Sequence, residues 1–408
     1  MELKDQIGQL FMVGFDGHTC DQQISKLITD YRIGGVILFE RNIGSPKEIA
    51  ALTNALQKKS HDIPLLIAVD QEGGRVNRLA PPFTQFPPQA CLGHCFNETH
   101  SVQYAYQFGE AIAEELKAVG ISMNLAPVLD INTNPRNPVI GDRAFGSDPL
   151  TVSELGLAVI AGLQDNGVLA CGKHFPGHGD TSQDSHKTLP RVDHDLERLT
   201  QVEIRPFVHA IRNGLSCVMT AHVLYSGLDR RNPATLSEKI VNRLLRKVLG
   251  YSRIVMTDDL EMKAIEETYP IEEVAVEILR IGADILLICH SHEKQVRAWE
   301  AVMKAVEKKR ISKDIILEAV ERIRSIKAYF LKNMKAVSTR EALNIVGCAE
   351  HQEIARTLRA YTGKNGLSTP LSAGTTHSLF GRSLYSRRGH RGKRPTSRLI
   401  KSSHPSSL

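Results

Sequence analysis

The chain has 408 residues, of which 42% are hydrophobic, so it is long enough to bury a substantial core. Its apolar runs, such as "GGVILF" and "ADILLIC", are far shorter than the ~20 residues of a membrane-spanning helix, and the N-terminus lacks a signal-peptide pattern. Nine of the 51 basic residues lie in 360–408, which has no acid, so the other residues carry 42 basic side chains against 45 acidic ones. We therefore expect a cytoplasmic protein with no membrane or nucleic-acid partner.

Apolar segments rich in β-branched residues recur along the chain, and amphipathic helical patterns separate them. The predicted strands are 10–15, 34–39, 65–70, 122–130, 168–175, 217–223, 253–259 and 283–289. The predicted helices lie near 21–31, 46–59, 99–118, 150–165, 199–213, 238–248 and 271–281. Nearly continuous apolar strands that alternate with helices indicate a parallel sheet. Eight such units predict an α/β fold of the TIM-type (β/α)8 barrel.

The barrel is predicted to occupy residues 1–335, and 336–358 are predicted to form a helical bridge segment. Residues 359–408 are rich in Ser, Gly and Arg, and they cannot bury enough apolar surface to offset the entropy of ordering. We expect a disordered basic tail there, with a polyanion-binding tail or a shifted reading frame as alternatives. The seven cysteines are scattered without a framework, so we expect reduced thiols and no disulfide.

Polar residues lie at the ends of the predicted strands, where the active sites of TIM-type barrels are built. The strand-end residues with polar or charged side chains are Glu40, Arg41, Asp70, Asp130, Lys173, His174, His222, Asp258, Asp259 and His290. Because these strand ends meet on one rim of a barrel, the pattern predicts a single polar catalytic site.

Six motifs carry a family resemblance: "AVDQEGGRVNRL", "APVLDI", "GDRAFGSDP", "KHFPGHGDTSQDSH", "VMTAHV" and "VMTDDLEM". Their order and spacing resemble glycoside hydrolase family 3 over about residues 5–355, and most closely its β-N-acetylglucosaminidase branch. The histidine-rich loop of the fourth motif is the most specific part. The resemblance implies a monomeric, cofactor-independent, retaining exo-β-N-acetylglucosaminidase. Its substrates would be amino-sugar glycans such as peptidoglycan turnover fragments.

The resemblance also implies catalytic roles for three residues. Asp258 matches the nucleophile, whose carboxylate forms a covalent glycosyl-enzyme. Asp259 is the weaker candidate, since successive residues of a strand point to opposite sides. His186 matches the acid/base, and Asp184 would hold its ring. Imidazole suits this task because it titrates near neutral pH.

The substrate-binding residues that the resemblance implies are Asp70, Arg78, Arg143, Lys173 and His174, which would bind sugar hydroxyls. Asp130 and His222 are expected to shape the pocket. We expect His178, Asp180 and Lys187 to be solvated loop residues without a role.

Other functions stay open from the sequence. A glycoside phosphorylase is one, because a histidine in place of a carboxylic acid removes a charge that would repel phosphate. A family 3 β-glucosidase is another. A metal-dependent hydrolase would use His174, His178, Asp184 and His186, although we predict no metal site, and "CLGHC" lacks a second ligand pair for zinc.

Overall fold

Eight parallel strands form a nearly closed barrel in the computed structural model, which describes residues 1–332 and 335–362. In chain order the first to eighth barrel strands are Phe11–Val13, Gly35–Leu38, Leu66–Val69, Met123–Asn124, Leu169–Phe175, Cys217–Thr220, Ile254–Thr257 and Leu286–Ile288. Each of the first six strands pairs in parallel with the next, and the eighth pairs with the first. A single parallel bridge from Met256 to Ile285 joins the seventh and eighth strands. The predicted TIM-type fold is confirmed.

Helices flank the barrel strands. In chain order they are α1 Leu3–Gly8, α2 Gln22–Thr29, α3 Pro46–Lys59, α4 Ala90–Thr99, α5 Gln103–Ala118, α6 Pro149–Asp165, α7 Leu196–Gln201, α8 Arg205–Arg212, α9 Lys263–Glu266, α10 Ile271–Arg280, α11 His292–Glu307, α12 Lys313–Phe330, α13 Thr339–Ile345 and α14 Ala349–Arg359. Short 3-10 turns span Glu40–Asn42, Gly141–Arg143 and Ala234–Leu236, and a π-helical segment spans Lys239–Val248.

Additional short strands lie outside the barrel. Gln71–Gly73 and Val76–Asn77 form an antiparallel pair directly after the third barrel strand. Arg191–Val192 and Leu224–Tyr225 form a parallel pair between the loops that follow the fifth and sixth barrel strands. Both pairs shape loops on the rim that carries the strand-end side chains.

Two predicted elements differ from the structure, and one helix that it contains was not predicted. The predicted strand 122–130 is regular only at Met123–Asn124, because Pro127 has no N–H to donate, although Val128 still bridges to Lys173. The predicted helix 199–213 is two helices, α7 and α8, and Pro206 lies in the first turn of α8, where proline is tolerated. Helix α4, which contains "CLGHC", was not predicted.

The C-terminal helices α13 and α14 confirm the predicted helical extension. Inside this extension the His351 ring is buried, with Nε2 3.0 Å from Glu114 Oε2 and Nδ1 3.0 Å from Glu115 Oε1. The same Glu115 carboxylate accepts hydrogen bonds from Thr84 and from the backbone N–H of Gly347. The extension is therefore fixed to α5 and to the loop after the third barrel strand. Residues 363–408, which make up most of the predicted tail, lie outside the described residues.

All seven cysteines lie within the described ranges and are free thiols, five of them buried. In the same part of the chain, no helix is both long and apolar enough to cross a membrane.

Candidate active site

Lys173 lies at the centre of a charged cluster at the rim of the barrel. It belongs to the fifth barrel strand, and its Nζ lies 2.7 Å from Asp70 Oδ1 and 2.6 Å from Glu72 Oε1. Burial alone would lower the pKa of Lys173, but the Asp70 and Glu72 carboxylates outweigh this effect and raise it. The lysine therefore stays charged at neutral pH and acts as a fixed donor.

Arg143 completes this cluster from the opposite side. It ends the 3-10 turn Gly141–Arg143, and it binds Glu72 with two parallel hydrogen bonds, Nε to Oε2 at 2.8 Å and Nη2 to Oε1 at 2.9 Å. Glu72 is only 1% exposed. Burial alone would raise the pKa of Glu72, but the charges of Arg143 and Lys173 outweigh it and lower that pKa. Glu72 is thus an ionised buried carboxylate that holds both cations.

His174, the next residue of the fifth strand, is fixed by Asp130. Its Nδ1 lies 2.6 Å from Asp130 Oδ2, and its backbone N–H donates to Asp130 Oδ1 at 3.1 Å. Burial alone would raise the pKa of Asp130, but the neighbouring His174 and His178 rings and hydrogen bonds to the carboxylate lower it. With Nδ1 held by the carboxylate, Nε2 is the ring nitrogen that can meet a ligand. Asp130 therefore orients His174, a more specific task than shaping the pocket.

Asp258 directly follows the seventh barrel strand and is half-buried. Its Oδ1 accepts the backbone N–H of Asp259 at 2.8 Å. Burial alone would raise the pKa of Asp258, but the His174, His222 and Lys173 side chains nearby outweigh it and lower that pKa. An ionised carboxylate beside the Lys173 and His174 pair is the form that a nucleophile at a glycosidic carbon requires.

Asp259 has a different environment. Its Oδ1 accepts the backbone N–H groups of Glu261 and Cys289, both at 3.2 Å, and its Oδ2 lies 3.3 Å from His290 Nε2. These contacts tie the loop after the seventh strand to the end of the eighth. The Asp259 carboxylate is thus occupied by loop contacts, in contrast to that of Asp258.

His222 supports the backbone next to Asp258. The ring is buried, with Nε2 2.9 Å from the carbonyl of Asp259 and Nδ1 2.8 Å from Thr235 Oγ1. Burial is the main reason why the pKa of His222 is lowered. The ring is therefore neutral at neutral pH, and it fixes the position of the Asp258–Asp259 segment.

Asp184 and His186 form a separate pair on the loop after the fifth strand. His186 Nδ1 lies 2.9 Å from Asp184 Oδ1, and its backbone N–H donates to the same oxygen at 2.9 Å. The His186 side chain is 65% exposed. Among the described residues it makes no hydrogen bond or ion pair with Asp258, Lys173 or His174. The structure thus brings the predicted dyad together but keeps it apart from the charged cluster.

Arg78 lies on the loop after the third strand, at the edge of the site. Its Nη1 is 3.4 Å from Glu40 Oε1, and its guanidinium carbon is 6.0 Å from the centre of the Phe39 ring. Within the described ranges, Nε of Arg78 is buried without a hydrogen-bond partner. This nitrogen is a donor that a bound ligand could satisfy.

Two of the three loop residues expected to be solvated are not. His178 is 2% exposed, with Nδ1 2.9 Å from Thr181 Oγ1 and Nε2 3.2 Å from Ser185 Oγ. Burial and the nearby His174 lower the pKa of His178 to about 4. Asp180 is half-buried and pairs with His194 at 2.6 Å. That expectation is therefore wrong for His178 and Asp180, whereas Lys187 is exposed as expected.

The hypothetical metal ligands are not arranged around one point. His174 is held by Asp130, and both ring nitrogens of His178 contact hydroxyl groups. Across the described ranges, no group of three or more His, Cys, Asp or Glu side chains is placed to hold a metal ion. In "CLGHC", the ring of His94 contacts the carbonyl of Tyr361 at 3.1 Å.

Sequence reasoning missed Glu72 and assigned no function to His178. Glu72 lies in "DQEGG", two residues after Asp70 and just before a glycine pair, a pattern that reads as a solvated turn. A second acid so close to a strand-end aspartate was the available signal. For His178, the crowding of polar residues on one loop gave no sign of which ring is buried.

Comparisons with known proteins agree with this architecture. The "Glycosyl hydrolase family 3 N terminal domain" matches residues 2–326. β-Hexosaminidase A of Pseudoalteromonas piscicida is 37% identical over 332 residues, 76% of this chain and 55% of that protein, so the chain spans about half the length of this relative.

Two solved structures are similar. A family 3 β-N-acetylglucosaminidase from Paenibacillus sp. str. FPU-7 is 42% identical with a TM-score of 0.85, over 88% of this chain and 69% of that one. NagZ from Neisseria gonorrhoeae, in complex with N-trifluoroacetyl-D-glucosamine, is 29% identical with a TM-score of 0.72. The match covers 86% of this chain and 97% of that one. As the motifs predicted, the chain belongs to glycosyl hydrolase family 3, a family of glycoside hydrolases, and resembles its β-N-acetylglucosaminidases.

Proposed function

We propose that this chain is a retaining exo-β-N-acetylglucosaminidase that removes terminal N-acetylglucosamine from amino-sugar glycans. The observation that carries the proposal is the position of an ionised Asp258 beside a buried cluster of charged hydrogen-bonding groups, with a separate histidine–aspartate pair on an adjacent loop. The names of the similar proteins and the amino-sugar ligand of the gonococcal NagZ support the choice of sugar.

The charged cluster is suited to bind one sugar ring. Lys173 and Arg143 are held by Glu72, while Asp70 is partly exposed and offers a carboxylate acceptor. Hydrogen bonds from such charged groups to hydroxyls are stronger than those between neutral groups. His174 Nε2 and Arg78 Nε would add a ring nitrogen and a donor. In this proposal the cluster holds the non-reducing sugar against Asp258.

The first chemical step forms a covalent intermediate. The Asp258 carboxylate attacks the anomeric carbon, and the bond from that carbon to the leaving oxygen breaks. His186, in its protonated form, gives a proton to the leaving oxygen, and Asp184 stabilises the imidazolium. The products of this step are the released alcohol, neutral His186 and a glycosyl ester on Asp258.

The second step releases the sugar. Neutral His186 takes a proton from water, and the water oxygen attacks the anomeric carbon from the face that the alcohol left. The ester bond to Asp258 breaks, and its carboxylate is restored. Two inversions give net retention of configuration. Imidazole can do both tasks because its pKa lies near neutrality.

Substrate turnover tests the proposal directly. Purified full-length protein should hydrolyse 4-nitrophenyl N-acetyl-β-D-glucosaminide and be far less active on 4-nitrophenyl β-D-glucoside. The rate should be the same with and without inorganic phosphate, and the product should be free β-N-acetylglucosamine. Activity that requires phosphate would indicate a phosphorylase, and a preference for the glucoside would indicate a β-glucosidase.

The natural aglycone can be tested separately. We propose that peptidoglycan turnover fragments, in which N-acetylglucosamine is linked to N-acetylmuramic acid, are substrates. Mass spectrometry of purified fragments should show loss of one N-acetylglucosamine. If chitobiose is cleaved and the muropeptides are not, the aglycone assignment fails while the glycosidase assignment stands.

A further inference from the structure

Ser185 lies between the two residues of the dyad, and it is more deeply buried than either of them. Ser185 is 2% exposed, whereas the neighbouring His186 side chain is largely in solvent. Ser185 is thus more buried than either chain neighbour, since Asp184 is half-buried and His186 is exposed. Two contacts, one from each side of the site, anchor it.

The first contact is with His178, near the start of the same loop. His178 Nε2 lies 3.2 Å from Ser185 Oγ, and the His178 ring is itself held through Nδ1 by Thr181 Oγ1 at 2.9 Å. The backbone N–H of His178 donates to Asp130 at 2.6 Å, and Asn137 binds the His178 carbonyl at 2.9 Å. These hydrogen bonds fix the position of His178, and His178 in turn contacts Ser185.

The second contact reaches the loop that carries Asp258. The carbonyl of Ser185 accepts the backbone N–H of Ala264, in α9, at 3.3 Å. The turn before α9 is closed by the Met262 N–H, which donates to the carbonyl of Asp259 at 3.1 Å. A short chain of backbone contacts therefore connects Ser185 to the residue next to Asp258.

We propose that Ser185 is a positioning residue that sets the place of the His186–Asp184 dyad relative to Asp258. The inference rests on the proposed function and adds to it a residue that does not touch the substrate. The two contacts at Ser185 limit how far the backbone that carries Asp184 and His186 can move. This matters because a general acid must lie within hydrogen-bond reach of the leaving oxygen, and a shift of about 1 Å can cost about 100-fold in rate.

The chemistry of the contact suits a neutral hydrogen bond. A neutral imidazole has one N–H donor and one acceptor nitrogen, and a hydroxyl can serve either one. The charged and titratable groups near the His178 ring are His174, whose ring centre is 5.7 Å away, Asp130, which accepts the His178 backbone N–H, and Arg143. Because the pKa of His178 is lowered to about 4, the ring is neutral near pH 7, and its contact with Ser185 does not change around that pH.

The test uses Ser185→Ala in the full chain, with Ser182→Ala as a matched control, since Ser182 is an exposed serine of the same loop. The kcat/KM for phenyl N-acetyl-β-D-glucosaminide should fall about tenfold in Ser185→Ala, which is the effect of one lost buried hydrogen bond. The 2,4-dinitrophenyl substrate should change less than about twofold, because its leaving group needs little protonation. Ser182→Ala should match the wild type on both.

A double-mutant cycle separates positioning from a structural role. If Ser185 acts through His186, Ser185→Ala should cause no further loss in a His186→Ala background. An equal loss in both backgrounds, or an equal loss on both leaving groups, would overturn the proposal.

Hydrogen exchange gives a readout that needs no activity. Backbone amides of 181–188 should exchange at least about fivefold faster in Ser185→Ala, and the Ser182→Ala loop should be unchanged. Unchanged exchange would refute the anchor even if turnover fell. If the wild-type protein hydrolyses no N-acetylglucosaminide, the proposed function fails, while the exchange experiment still decides whether Ser185 anchors the loop.

Discussion

The charged cluster and the dyad loop serve one site in the proposed mechanism, but their environments are opposite. In the cluster, Glu72 and Lys173 are buried, and Glu72 binds both Lys173 and the half-buried Arg143 at 2.6–2.9 Å. In the loop, His186 pairs with Asp184 and is largely exposed. If the cluster binds the sugar as proposed, its groups can be fixed in advance, which reduces the entropy lost on binding. A group that must both give and take a proton needs access to the leaving group and then to water.

Removal of the proposed nucleophile should have the largest effect on turnover and gives the reference for both regions. We expect Asp258→Ala to lower kcat by at least about 1,000-fold without changing the melting temperature, since it removes the covalent step. The matched control is Asp259→Ala, which should lose stability through its loop contacts and keep more activity. Equal losses of kcat at the two positions would contradict the assignment.

Changes in the dyad should depend on the leaving group. We expect His186→Ala to lower kcat/KM about 100- to 10,000-fold for substrates with poor leaving groups and far less for 2,4-dinitrophenyl glycosides. Asp184→Ala should show the same trend more weakly. A Brønsted plot over aryl N-acetylglucosaminides measures this. A flat plot for His186→Ala would remove the dyad from the mechanism.

Changes in the cluster should be independent of the leaving group. Glu72→Gln leaves two buried cations without their shared carboxylate, so we expect a loss of about 3–5 kcal/mol in stability and weaker sugar binding. The activity loss should be the same factor for good and poor leaving groups. Glu40→Gln is the control, because Glu40 pairs with Arg78 at 3.4 Å in an exposed position and should matter little. Leaving-group dependence in Glu72→Gln would break the division between the two regions.

The smallest effect should be a change in the pH dependence of stability, which comes from a buried histidine outside the site. Burial alone would lower the pKa of His351, but hydrogen bonds to Glu115 and Glu114 outweigh it and raise that pKa. Its contribution to stability is therefore complete below the unfolded pKa of about 6.5 and is lost as the pH rises through the raised folded value. Urea unfolding at pH 5.5 and 8.5 should show this slope in the wild type and a weaker one in His351→Gln.

The control for this experiment is His18→Gln, since His18 lies on the surface. It should keep the wild-type slope. Neither histidine variant should change kcat/KM, and a loss of activity in His351→Gln would show that the C-terminal extension affects the site.

The sequence predicted the barrel because burial on both faces leaves a local record, the eight apolar runs with helices between them. It predicted Asp258, Lys173 and His174 because strand ends and family motifs mark them. It could not show that Glu72 is buried, that Asp130 orients His174, or that His178 holds Ser185. These facts depend on which loops meet in space, and a polar residue has the same letter whether it is buried or solvated. The split between α7 and α8 was missed although Pro206 marked it.

The contacts of the Glu115 carboxylate determine how far the protein can be shortened from its C-terminal end. The family match ends at residue 326, but Glu115 gives its carboxylate to Thr84, Gly347 and His351. The described residues form one compact unit through α14. A version shortened to the family boundary would lose Gly347 and His351, two partners of Glu115 among the described residues, and would open this carboxylate to solvent, so we expect it to be less stable. The shortest version worth expressing for crystallisation or engineering should therefore end after residue 362.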